Sequence, residues 1–149
     1  MFICIELPRN PSGVEVVHRL YKKAMGLTET IIGGAIEVHR DKGPGLIESI
    51  YEWCLTKELE DRGLHVASQT TVIIEYKGHQ RETPLRFDML VEDCVLVEIK
   101  AVQDVIPIHK AQLLSYMKIM DVPVGLLLNF HAMRIVEGVS RLYLPGANK

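Results

Sequence analysis

After Gly63 the hydrophobic period of the chain changes, and that change constrains the fold more than any other feature. Before it, apolar residues recur at helical spacing. Ile31, Ile32, Ala35, Ile36, Val38 and His39 make one stripe, and Ile47, Ile50, Tyr51, Cys54, Leu55 and Leu59 a second. Gly43-Pro44-Gly45 separates the two stripes, and Gly63 can cap the second helix. Beyond it, residues 66–76 are rich in Val, Ile and Thr and read as a strand, bulged near Ser68-Gln69 and turned at Lys77-Gly78-His79. Residues 85–91 and 95–100 read as two further strands joined at Glu92-Asp93-Cys94. A third helix is predicted from about His109 to Met120, between Pro107 and Pro123. Residues 124–128 form an apolar run without alternation, the mark of a strand covered on both faces. A weaker strand pair is expected at residues 133–136 and 141–144.

The order helix, helix, three strands, helix, strand predicts an α/β fold with a mixed sheet flanked by helices. Residues 1–26 read as an N-terminal appendage, broken by Pro8, Pro11 and Gly13 and carrying a short helix over residues 14–25. Residues 27–149 read as the domain itself. With 149 residues, 48% of them hydrophobic, the chain is long enough to build a core without metal or disulfide staples. Cys4, Cys54 and Cys94 form no CxxC pair, which points to a reducing, cytoplasmic setting. No apolar run is long enough to span a bilayer, and the N-terminus lacks the basic start of a signal peptide. Neither GxGxxG nor GxxxxGK[ST] occurs, so a glycine loop cradling phosphates has no support. Seventeen Lys+Arg against 19 Asp+Glu leave a net charge of −2, so any role with nucleic acid must be local and not a matter of bulk basic charge.

Chemistry concentrates where charge interrupts the strands. In Val95-Leu-Val-Glu-Ile-Lys100, alternation separates Val95, Val97 and Ile99 from Leu96, Glu98 and Lys100. Glu98 and Lys100 are then same-face neighbours about 6.6 Å apart. Such charges on an apolar strand carry a desolvation penalty unless they are paired or bound to a metal. Asp88 is the matching acid on the preceding strand. A three-residue hairpin loop sets it opposite Glu98, whereas a two-residue loop would separate them by a face. Two carboxylates held about 5 Å apart repel unless a cation lies between them, so the trio suits a hard, oxygen-bound dication, magnesium or manganese, with a lysine beside it. A structural ion-pair cluster would use the same three residues. A second Glu-x-Lys, Glu75-Tyr-Lys77, lies before a glycine turn and reads as a solvated strand end.

Gly45-Leu-Ile-Glu48-Ser-Ile-Tyr51 resembles the signature of the GxxExxY family, a bacterial group placed in the PD-(D/E)xK nuclease superfamily. The resemblance runs from Leu27 to about Leu144. It takes in Ile36-Glu-Val-His-Arg40, Gly43-Pro-Gly45, Phe87-Asp-Met-Leu-Val-Glu92, Val97-Glu-Ile-Lys-Ala101, Ile108-His-Lys-Ala-Gln-Leu-Leu-Ser-Tyr116 and Gly125-Leu-Leu-Leu-Asn-Phe130. It departs at Thr83-Pro84, where family members usually carry Gly or Tyr, and residues 1–26 match nothing. It implies a restriction-endonuclease-like αβββαβ core, with Asp88 and Glu98 as metal ligands and Lys100 beside the attacking water. Gln112-x-x-x-Tyr116 resembles the motif that follows Glu-x-Lys in RecB-like nucleases.

Helical spacing adds to this set. Glu48 and Tyr51 are three apart and share a face, so Glu48 can reach over the sheet as a third carboxylate or serve as an acid of the first helical turn. Gln112 and Tyr116, four apart, also share a face, as site residues or as boundary polar packing. His109 suits a helix cap better than a phosphate contact, and His39 suits a hydrogen-bonded core position better than a ligand. The functional expectation is a metal-dependent nuclease acting on DNA or RNA, with the cation held by Asp88, Glu98, the Ile99 carbonyl and Glu48. The alternative is an inactive nuclease-like scaffold that binds within a larger assembly. Nucleic acid of unspecified type is the expected partner, and the sequence leaves open a second copy or another protein. Asp88, Glu98, Glu48 and Lys100 together carry the whole net charge of −2, so one bound dication would neutralise the chain.

Overall fold

The computed structural model describes residues 11–145, with side chains from Arg19 onward. In chain order the elements are α1 (Pro11–Lys42), α2 (Glu48–Asp61), β1 (Val66–Tyr76), β2 (His79–Val91), β3 (Val95–Lys100), α3 (Pro107–Met120), β4 (Val124–Asn129) and β5 (Val139–Tyr143). A turn of 3-10 helix, Ile135–Gly138, precedes β5. The strands form one five-stranded sheet in the order β1-β2-β3-β4-β5. Only β3 and β4 pair in parallel, and α3 makes the crossover that such a pair requires. The architecture is the expected α/β one: a mixed sheet with helices against it and the αβββαβ order within it. Among the described residues no helix is long and apolar enough to cross a membrane.

Two apolar layers hold the sheet. Val95, Val97 and Ile99 of β3 join Ile31, Ala35, Tyr51, Leu55 and Leu59 from α1 and α2, whereas Leu96 joins Leu113 and Met117 of α3. Each large side chain so buried contributes roughly 1.5–3 kcal/mol relative to exposure. Every residue of β4 is buried, as an unalternating apolar run requires of a strand covered on both faces. The Lys77-Gly78 turn has φ of 48° and 82°, the left-handed pair that matches the twist of a two-residue hairpin.

Three expectations are corrected. The helices predicted at residues 14–25 and from Thr28 are one helix, α1, because Pro11 stands in its first turn, where proline needs no amide partner. The boundary expected at 26/27 therefore falls inside α1, with Ala24 fully buried in the core, while residues 1–10 lie outside those described. Secondly, Ile47 and Ile50 do not complete the buried stripe of α2. They are 66% and 38% exposed, whereas Tyr51, Leu55 and Leu59 are buried in the core and Cys54 packs partly buried against it. Ile47 precedes the helix as its cap, and Ile50 lies about 100° around it from Tyr51.

Thirdly, residues 133–136 form no strand. The chain turns there instead, its backbone bonds closing locally: the Ala132 amide donates to the Asn129 carbonyl (3.3 Å) and the Glu137 amide to the Arg134 carbonyl (3.0 Å). Ile135 alone of the short helical turn is buried. Gly138 lies against the Asn129 backbone, and a methyl there would run into the Asn129 carbonyl oxygen. Backbone cannot yield as a flexible side chain can, so Gly138→Ala is expected to cost about 1–3 kcal/mol, read as a lower urea midpoint at unchanged slope.

Candidate functional site

The β2–β3 hairpin has the three-residue loop expected of it. Val91, Leu90 and Met89 pair with Val95, Leu96 and Val97, and the Cys94 amide donates to the Val91 carbonyl (3.1 Å). The next position in that register is Asp88 opposite Glu98, but there the backbone ladder stops. The Asp88 carboxylate (Oδ2) instead accepts from the Ile99 amide at 2.7 Å, so a side chain fills the fork where the strands part.

The fork has a cause in β1. Between Ala67↔Leu90 and Gln69↔Arg86, β1 advances two residues and β2 four, so the surplus in β2 bends it away from β3. The expected bulge lies opposite Ser68, but it breaks the alternation of β2. Phe87 and Leu90 both pack into the layer under α3, and Asp88 is turned into the gap between strands.

Around this fork the structure gathers four of the predicted residues. Lys100 Nζ lies 3.2 Å from Glu98 Oε1, with side chains 18% and 21% exposed. Glu48, the first residue of α2, accepts from the Ala101 amide (Oε1, 3.3 Å), just past the end of β3. Burial pushes the Asp88 carboxyl above the usual aspartate range. The Ile99 amide and Lys100 pull it back, and the Glu48 charge adds to the rise. Gln112 and Tyr116 are not brought into this group. Both are exposed on α3, and among the described residues no hydrogen bond or ion pair joins them to it.

Two residues that spacing alone did not single out belong here. Glu52, one turn after Glu48, has its carboxyl raised by burial and by the charges of Asp88 and Glu48. Its signal was the i, i+4 spacing from Glu48. Asn129 is buried at the end of β4. Its amide donates to the Val102 carbonyl (2.8 Å), and its oxygen accepts from the Val102 (3.1 Å) and His131 (3.2 Å) amides. The chain just past Lys100 is thereby tied to β4. A lone amide closing an apolar run was the clue, since a buried polar group must find partners.

Tyr51 sets where α2 begins. Its ring stacks on Phe130 with centroids 4.5 Å apart, while its hydroxyl donates to the Gly43 carbonyl and accepts from the Leu46 amide (3.1 Å). Gly45 takes φ of 103° in the same loop, a conformation that favours glycine. The glycine, glutamate and tyrosine of the motif thus have separate tasks: turning the chain, reaching β3 and latching the loop. His39 is a hydrogen-bonded core neighbour, its Nε2 at 2.9 Å from the Ala132 carbonyl, and His109 caps α3 by accepting from the Ile106 amide.

A cleft of about 730 Å³ opens beside these groups, lined by Gly45 to Ser49, Glu52, Ala101 and His131. Among the described residues no three Asp, Glu, His or Cys side chains converge as a ready-made ion cage. The donors nevertheless suit a hard cation. All are oxygens, and the Glu48 charge makes Asp88 harder to ionise while Asp88 and Glu48 do the same to Glu52, a cost that a dication would relieve. An acid whose folded pKa is raised destabilises the fold when charged. Stability should therefore fall as pH rises from the unfolded aspartate range, near 4, through the elevated folded value, and then level off. Asp88→Asn, which keeps an acceptor for the Ile99 amide, is expected to raise the neutral-pH melting temperature and to flatten that slope. A lower melting temperature at pH 7 would contradict it.

A model of the PD-(D/E)XK nuclease superfamily matches residues 25–142. The crystal structure of SSO0001 is similar over 87% of this chain and 77% of that one, at 15% sequence identity and a TM-score of 0.40. No curated protein matches.

Proposed function

Because the chain belongs to the PD-(D/E)XK nuclease superfamily, we propose that it hydrolyses phosphodiester bonds of nucleic acid at the β2–β3 fork, with Asp88, Glu98 and Lys100 as the working residues. The observation that carries this reading is Asp88 bound to the Ile99 amide beside the Glu98–Lys100 pair, which leaves acid, acid and lysine at the open end of the parallel strand. Ligands at strand ends are the rule in open α/β sheets. The tasks of Gly45, Glu48 and Tyr51 also support placing the chain in the GxxExxY family.

Nucleases of this superfamily generally use divalent metals. Here Asp88, Glu98 and the Ile99 carbonyl would hold magnesium or manganese, with Glu48 and Glu52 adding negative charge from α2. The cation would polarise the phosphodiester and make hydroxide available near neutral pH. Lys100, with its compact ammonium, leaves Glu98 to face the charge that develops on the phosphoryl oxygens. Glu48 holds the Ala101 amide, and Asn129 holds Val102, so the backbone on either side of Lys100 stays in place. The free thiols of Cys54 and Cys94 support a cytoplasmic setting.

The Lys100–Glu98 pair, together with the unconverged acids, favours a second reading: a scaffold that binds but does not cut. Melting temperature measured against magnesium or manganese concentration separates the two. A cation site stabilises by mass action, about 2.7 kcal/mol at a hundredfold excess over Kd. The wild type should therefore melt higher as the ion is added, whereas Asp88→Asn should not. A flat response in both favours the scaffold.

A further inference from the structure

Resting on that reading of the site, we propose that Trp53 and Ile50 form a stacking platform for an unpaired nucleobase of the strand being cut, so that the substrate is single-stranded or frayed at the cleft.

Trp53 is 64% exposed and Ile50 38%, both on the first turns of α2, and Ile47, its cap, is 66% exposed, with Leu46 beside it. Apolar side chains of this size left in water on one helix mark a binding surface. The patch is continuous with the cleft. Leu46, Ile47, Ser49 and Glu52 line it, and Trp53 follows Glu52 directly and lies one turn behind Ser49. A strand whose phosphate reaches Asp88 and Glu98 therefore passes Ser49 and Glu52 on its way to Trp53.

The occupant follows from charge. The whole chain carries −2 and the cleft holds Glu48 and Glu52, so affinity cannot rest on counterion release alone. A base presents a neutral π-face, which stacks on an indole without regard to sequence and is indifferent to carboxylates beneath the backbone. A base inside a duplex is already stacked on its neighbours and would have to leave them first.

Trp53 is the chain's single tryptophan, so its emission reports the contact directly. The wild type is titrated with a twelve-nucleotide oligothymidylate and with the corresponding duplex, in calcium. In parallel, a fluorescein-labelled copy of each gives affinities by anisotropy for the wild type, Trp53→Phe and Trp53→Ala. The single strand should quench Trp53 more than the duplex does. Trp53→Ala should bind it at least about tenfold more weakly, with Trp53→Phe in between. Absence of quenching, or equal affinity of Trp53→Ala and wild type, overturns the proposal. So does a concentration-dependent dimer mass that Trp53→Ala abolishes without any quenching, since the patch would then serve a second copy. Cleavage is scored separately in manganese. Quenching without cleavage retains the platform and removes the nuclease, and equal cleavage by wild type and Trp53→Ala without quenching does the reverse.

Discussion

Lys100→Ala and Asp88→Asn should each lower manganese-dependent cleavage of nucleic acid by roughly 10²–10³-fold, while circular dichroism and the cooperativity of melting stay those of the wild type. The two losses have different origins. Asp88 touches the Ile99 amide, and Asn can keep that bond, so the change removes charge and leaves the fork closed. Lys100 is paired with Glu98, and removing it leaves a mostly buried glutamate without its partner. Stranding that carboxylate should cost about 1–3 kcal/mol, so cleavage is compared well below the melting temperature of both proteins, where neither is unfolded. Lys100→Arg is the informative control. It keeps the charge but replaces a compact ammonium with a broad planar fork, and it should recover only a small part of the activity. Equal cleavage by wild type and both charge-removing variants would remove the fork from the chemistry.

The second large effect falls on Tyr51. Tyr51→Ala removes a fully buried ring stacked on Phe130 and should cost about 3–5 kcal/mol, a large share of the roughly 5–15 kcal/mol that folds a domain. Tyr51→Phe keeps the ring and strands the Leu46 amide and the Gly43 carbonyl, at about 1–3 kcal/mol. Urea denaturation orders the three proteins. Because Tyr51 anchors the loop that leads into Glu48, Tyr51→Phe should also reduce the rise in melting temperature on adding manganese. If that rise is unchanged, Tyr51 only fills the core and does not place Glu48.

Much of this was legible in the sequence, because it follows from period and register. The switch of period after Gly63 divides helices from strands, and the loop Glu92-Asp93-Cys94 is enough to set Val91 opposite Val95. Val95, Val97 and Ile99 part from Leu96 as alternation demands. The bulge opposite Ser68 was legible too, but not its consequence. Two surplus residues in β2 turn Asp88 out of the expected face and into the fork, which depends on how two strands pair and not on either alone.

Ile47 and Ile50 show another limit. A helical stripe says which residues share a side, not how far the helix overhangs the sheet that covers it. Residues 133–136 have the composition of a strand, but the backbone bonds on either side of them close locally, Ala132 to Asn129 and Glu137 to Arg134, in the turn before β5. Gln112 and Tyr116 do share the exposed side of α3, but spacing within a helix does not say what that side meets. Glu52 and Asn129 carry signals too common to stand out: an acid four residues from another, and an amide after an apolar run.

The most direct test of the fork as a cation-dependent site is anomalous diffraction from crystals of the wild-type protein grown with manganese. The account predicts a peak about 2.1 Å from oxygens of Asp88 and Glu98 and from the Ile99 carbonyl, with Lys100 moved off Glu98. Well-ordered density for these side chains with no peak between them, and with Lys100 still 3.2 Å from Glu98, would contradict it.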